Sequence, residues 1–155
     1  MKNSFGRLVV AVFSVVIALM ASGAVDREFL KALVSIPSET RNAAECAHAV
    51  DAYAGWLEAR GVFCTTMTNG VGRKFLYAAT TPGLEHDFVF VSHLDVVPAL
   101  DPAQFTPRVE GDILHGRGAC DTKGNTVVIA QVLAELAGKA SVGVVMSTDE
   151  EGGGI

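Results

Sequence analysis

Hydrophobic positions along this chain follow two rhythms. Over residues 25–36 the apolar side chains Val25, Phe29, Leu30, Leu33 and Val34 recur every three or four residues, which predicts an amphipathic helix stopped by Pro37. A second helix is predicted over 43–60, with Cys46, Val50, Tyr53, Ala54 and Leu57 on one side and Gly61 where many helices close. Residues 62–68 and 74–80 are rich in strand-favouring types and flank the turn sequence Asn69-Gly70-Val71-Gly72, so they read as a hairpin. Phe88-Val89-Phe90-Val91 is continuously apolar, the pattern of a strand buried on both faces. Prolines and glycines between 98 and 118 leave little periodicity, which predicts a loop with a short strand near Ile113. Helical spacing returns over 126–136, and the apolar strand 142–146 runs directly into Asp149-Glu150-Glu151. Strands alternating with helices predict an α/β sheet.

The first 24 residues stand apart from this pattern. Lys2 and Arg7 precede an uncharged apolar run at 8–20, and the small residues Ala21-Ser22-Gly23-Ala24 follow. That is the layout of a secretory signal peptide, and the run is shorter than the roughly 20 residues needed to span a bilayer. The expected organisation is therefore a signal peptide at 1–24 and a domain, or part of one, at 25–155. The product would be periplasmic or secreted, with no stable membrane span after processing.

Composition narrows the class. Half of the 155 residues are hydrophobic and 19% are charged, as in a globular domain. Beyond the leader, 10 basic side chains face 17 acidic ones, which argues against a nucleic-acid partner. Cys46, Cys64 and Cys120 are widely spaced and form no CxxC pair, so they are read as small apolar core residues rather than zinc ligands, with one bridged pair as the alternative in an oxidising compartment.

Three short polar clusters carry the candidate chemistry. His93 and Asp95 follow the strand at 88–91. Because side chains alternate along extended backbone, the two can face the same way while Leu94 packs inward. A carboxylate beside a metal-binding imidazole sets its orientation and basicity. Asp121 lies among Gly116, Gly118 and Gly124, where the backbone can fold tightly; its two oxygens could bridge cations, and its place just before a helix also suits an N-cap. Glu150 and Glu151 follow the strand at 142–146 and suit a division of labour, one carboxylate holding metal and its neighbour taking a proton. Glycine spacing fits neither a phosphate loop nor a dinucleotide fingerprint, and there is no H-E-x-x-H pair of a mononuclear zinc protease.

Ser92-His93-Leu94-Asp95-Val96-Val97-Pro98, Gly-Arg-Gly-Ala-Cys-Asp-Thr-Lys-Gly at 116–124, and Thr148-Asp149-Glu150-Glu151-Gly152 together resemble the dinuclear zinc family of acetylornithine deacetylase, succinyl-diaminopimelate desuccinylase, aminoacylase and the glutamate and Gly-X carboxypeptidases. The resemblance implies the N-terminal part of a zinc-exopeptidase-like catalytic domain, a mixed central sheet flanked by helices. It implies two zinc ions, with cobalt as a substitute, and hydrolysis of an amide or peptide bond in N-acyl amino acids or small peptides. By the same resemblance His93 binds one zinc, Asp121 bridges both, Glu151 binds the second, Glu150 is the general base and Asp95 orients His93. The family's smaller domain, often used for homodimerisation, and its later carboxylate and histidine ligands have no counterpart in these residues. The alternative expectation is an inactive remnant or binding module of the same family. Ser92 stands where glycine is common and His115 where tyrosine is common; these departures bear on substrate subclass and leave the metal set unchanged.

Overall fold

The computed structural model describes residues 10, 12, 14, 15 and 25–153, so the predicted signal peptide falls almost wholly outside the described residues. Helix α1 (Arg27–Ser35) begins at Asp26, whose Oδ1 accepts from the Phe29 backbone N–H at 2.9 Å, and it buries Phe29, Leu30, Leu33 and Val34. Helix α2 (Ala43–Glu58) is capped by Asn42 and buries the predicted stripe, with Tyr53 donating to Thr126 O at 2.7 Å. Asn69 shapes the hairpin between β1 (Phe63–Thr68) and β2 (Lys74–Ala79): its Oδ1 accepts from the N–H groups of Val71 and Arg73 at 3.2 and 2.9 Å.

Strand β3 (Phe88–His93) is followed by a single 3₁₀ turn (Pro102–Phe105) and a small antiparallel hairpin, β4 (Arg108–Glu110) with β5 (Ile113–His115). The predicted loop is thus more ordered than its sequence suggested. Helix α3 (Gly124–Leu136) then leads to β6 (Val142–Ser147). The main sheet runs β1-β2-β6-β3, with β6 antiparallel to β2 and parallel to β3, the expected mixed α/β arrangement.

Register explains where the core lies. Leu76, Ala78, Val142, Val144 and Met146 point to one face and are fully buried in the cluster that contains the helix residues Leu33, Val50, Leu57, Val127 and Leu133. The other face lines up Phe63, Ala79, Gly143 and Val89 across the strands, with Val91 in the next row. There Phe63 is 53%, Val89 43% and Val91 77% exposed, so β3 is open on this face and half-buried on the other, at Phe88 and Phe90, contrary to the expectation from its apolar run. A continuous apolar stretch does not reveal how many faces are covered, and the described helices all pack on one side. The cysteines also differ from expectation: Cys46 is buried, Cys64 half-buried and Cys120 exposed. Among the described residues no helix is long and apolar enough to cross a membrane.

Candidate metal centre

Parallel pairing brings two of the three clusters together. His93 ends β3 and registers with Ser147, the last residue of β6, so the turn beginning at Thr148 starts beside the histidine. Both clusters thereby lie at the carboxyl ends of neighbouring parallel strands, where α/β sheets gather ligands. Leu94 is fully buried and its N–H donates to Ser147 O at 3.0 Å, while alternation returns Asp95 to the side of His93.

Asp95 is fully buried and is the organising group of the site. His93 Nδ1 lies 3.4 Å from Asp95 Oδ1 and 3.1 Å from the Asp95 carbonyl oxygen. Asp95 Oδ2 accepts from Thr40 Oγ1 at 2.9 Å and Glu151 N at 3.1 Å, and Oδ1 accepts from Glu150 N at 3.3 Å. Burial pushes the Asp95 carboxyl up, but the hydrogen bonds from His93, Thr40 and Glu151 outweigh it and hold it below its ordinary value. The Asp95 hydrogen bond in turn raises His93 to about 9, against the opposing effect of burial.

With Nδ1 engaged, His93 turns Nε2 toward carboxylates. Asp121 Oδ1 is 3.5 Å from it and Glu150 Oε2 is 3.6 Å from it. Ligand atoms of His93, Glu150 and Glu151 all lie within 4.8 Å of one another. Burial raises the Glu151 carboxyl, and the charges of Asp121, Glu150 and Asp95 add to that effect against His93. The geometric group therefore includes Glu150, which the sequence reading reserved for proton transfer, with Asp121 against the same histidine nitrogen.

Asp121 reaches this place through an irregular turn, Ala119–Lys123, that contains a cis peptide between Asp121 and Thr122. Helix α3 begins at Gly124 with Lys123 in the capping position, so Asp121 caps nothing and its side chain stays exposed. The N-cap expectation fails because the helix starts at Gly124, so the capping position falls two residues beyond Asp121, whose own backbone is extended at φ −120° and ψ 97°. Gly118 makes the turn feasible: its φ is +79°, and a Cβ there would meet Val96 Cγ1 at 2.6 Å.

Lys123 locks the turn to α1. It is fully buried, and Nζ donates to Leu33 O at 2.8 Å and Ile36 O at 2.9 Å. Desolvation brings its amine down to about 8, although the charges of Cys46 and Asp95 oppose that shift. Thr40, and Ser38, whose Oγ donates to Leu94 O at 2.7 Å, were assigned no role from the sequence, and Lys123 entered only as part of the motif at 116–124. Only burial reveals them, since lysine, threonine and serine ordinarily read as surface residues.

One imidazole nitrogen facing clustered carboxylates is a donor set for a divalent cation such as zinc. Like charges at this spacing repel one another unless a cation or protons compensate them.

Residues 89–155 match the model of peptidase family M20/M25/M40. The chain is 38% identical over 133 residues to succinyl-diaminopimelate desuccinylase of Xanthobacter autotrophicus, covering 77% of this chain and 34% of the relative. It is 30% identical over 139 residues to the Erythrobacter litoralis protein of the same name, covering 81% and 36% respectively. The chain thus spans about a third of the length of these relatives. Human carnosine dipeptidase 1 shares the fold with a TM-score of 0.70 at 20% identity, over 93% of this chain and 36% of that one. An M20 family metallo-carboxypeptidase, Sso-CP2 from Sulfolobus solfataricus, does so at 0.69 and 22%, over 80% and 30%. With the ordered motifs and the site they build, these likenesses make the chain a member of peptidase family M20/M25/M40.

Proposed function

We propose that the protein, at the length of its relatives, hydrolyses an amide or peptide bond in an N-acyl amino acid or small peptide, using zinc held by His93, Asp121 and Glu151. The observation that carries this reading is the convergence of His93 with Glu150 and Glu151 at the ends of β3 and β6, and with Asp121 from the Ala119–Lys123 turn. The donor set fits zinc, because Asp95 occupies Nδ1 and leaves Nε2 facing the carboxylates. Zinc, when bound, supplies Lewis acidity and a lowered water pKa. Asp95 fixes the His93 ring through Nδ1. Asp121 offers two oxygens to neighbouring cations. Glu150 takes a proton from the attacking water at its carboxylate and returns it to the departing amine. Glu151, with its N–H on Asp95, is held by the same buried carboxylate that orients His93. Export remains part of the proposal, on the layout of residues 1–24.

Glu150→Gln in the protein at relatives' length is expected to lower kcat by roughly 10²- to 10⁴-fold, with zinc retained. Unchanged turnover would remove Glu150 from the role. A second reading, a non-catalytic binding module, is favoured by the small donor set among the described residues, which falls short of two tetrahedral zinc shells. Elemental analysis of the purified chain tests that shortfall: two tightly held zinc ions per chain would refute it.

A further inference from the structure

Strand β1 lies at the edge of the main sheet, paired with β2 on one side and, among the described residues, with no strand on the other. Its residues Phe63-Cys64-Thr65-Thr66-Met67-Thr68 are exposed on both faces of the sheet, Cys64 alone being half-buried, so nothing overhangs this edge. Alternate residues of an edge strand turn their backbone N–H and C=O groups outward, and a row of such groups is best answered by another strand. Natural edges are commonly guarded by charge, proline or a bulge. Strand β1 has no charged residue and no proline, and it keeps an unbroken register with β2 from Phe63↔Ala79 to Thr68↔Lys74.

We propose that β1 pairs antiparallel with β1 of a second copy of this chain, joining two four-stranded sheets into one of eight strands. A twofold axis perpendicular to the sheet keeps like faces on the same side, so directly opposed residues are both odd or both even in number. Centring the axis on Thr65 sets that residue against its own copy and Phe63 against Met67 of the partner subunit. The strand is then its own complement: on the open face Phe63, 53% exposed, meets a methionine that is 39% exposed, an aromatic–thioether contact made twice, with a threonine pair between. Centring on Thr66 would instead set Phe63 against Asn69 of the partner subunit, in the hairpin turn, and separate the apolar pairs. The pairing leaves the metal centre clear, because His93 ends β3, the outermost strand on the far side of each sheet.

Sedimentation velocity of the 155-residue chain is expected to show a reversible monomer–dimer equilibrium between about 10 µM and 1 mM, the weak range of small interfaces. Thr65→Lys places two ammonium groups against each other across the axis and should weaken the dimer about tenfold or more, with far-UV circular dichroism unchanged because position 65 is exposed. Val91→Lys, on the same open face but at the opposite edge, should leave the equilibrium as it is. Opposed Cα atoms of an antiparallel pair lie about 4.5–5.5 Å apart, within disulfide reach. Thr65→Cys, combined with Cys120→Ser to remove the exposed native thiol, should therefore give a covalent dimer on mild oxidation, its bridge located by peptide mass mapping. A chain that stays monomeric up to about 1 mM, a dimer that withstands Thr65→Lys, a dimer lost in Val91→Lys, or failure of the two introduced cysteines to bridge would overturn the pairing.

Discussion

Replacing Lys123 by Met removes a buried ammonium at nearly constant shape, and the structure fixes the sign of the result. Two charge-assisted hydrogen bonds, to Leu33 O and Ile36 O, disappear and leave both carbonyls without that donor. Each such bond is worth about 1.5–3 kcal/mol, for a combined loss of about 3–6 kcal/mol. Against this stands the cost of keeping the amine charged inside the protein. A lysine brought from its ordinary 10.5 to about 8 by desolvation carries a penalty of about 3 kcal/mol, which the methionine does not. The difference predicts a net destabilisation of about 0–3 kcal/mol at pH 7.

The pH dependence is more discriminating. Between about 8 and 10.5 the unfolded chain holds the lysine proton that the folded chain has released, so the unfolded state binds more protons. Wild-type stability must therefore rise with pH relative to Lys123→Met across that window and level off above it, while below about 8 the full penalty persists. Urea titrations of both proteins at pH 7 and pH 10 read the effect, and titrating groups that do not sense Lys123 cancel in the difference. A gap between the two proteins that stays constant with pH would refute the picture of a buried, charged Lys123.

Two further substitutions or probes test local features. Gly118→Ala is expected to cost about 1–3 kcal/mol in urea denaturation, because alanine is strained at φ +79° and its Cβ would meet Val96; an unchanged midpoint would contradict the turn geometry. Iodoacetamide at pH 8 should modify exposed Cys120 in the folded chain but spare Cys46, whose thiol burial pushes up to about 11; equal labelling rates by mass spectrometry would contradict its placement. Since unfolded thiols ionise near 9, Cys46 also makes stability fall as pH rises from about 9 toward 11.

Much of this molecule was legible because its periodicities are strong. The stripes at Phe29-Leu33-Val34 and Val50-Tyr53-Leu57 gave both helices, and Asn69-Gly70 gave the hairpin turn. Alternation at His93-Leu94-Asp95 placed the imidazole and carboxylate on one side, as observed. What periodicity does not encode is the set of neighbours. Val89 and Val91 were expected inside because apolar runs fit buried strands, yet sheet register puts them on the open face. Asp121 suited a helix cap by position, but the glycine at 118 and the anchored ammonium of Lys123 shift the start of the helix beyond it. Thr40 carried no signal, since its importance lies in a hydrogen bond to a residue 55 positions away.

The order of these contacts gives the site its logic. Asp95 is tied on one side to His93 at the end of β3 and on the other to the N–H groups of Glu150 and Glu151 after β6. Thr40, in the segment joining α1 to α2, closes the third side. One buried carboxylate thus couples three separate pieces of chain, and each hydrogen bond that orients a ligand also lowers the cost of burying the charge. The groups at the rim, Asp121 and Glu150, are exposed, and each turns a carboxylate oxygen toward His93 Nε2. A buried base beneath exposed carboxylates suits the proposed division of labour, in which Asp95 fixes the His93 ring while Glu150, open to solvent, exchanges a proton.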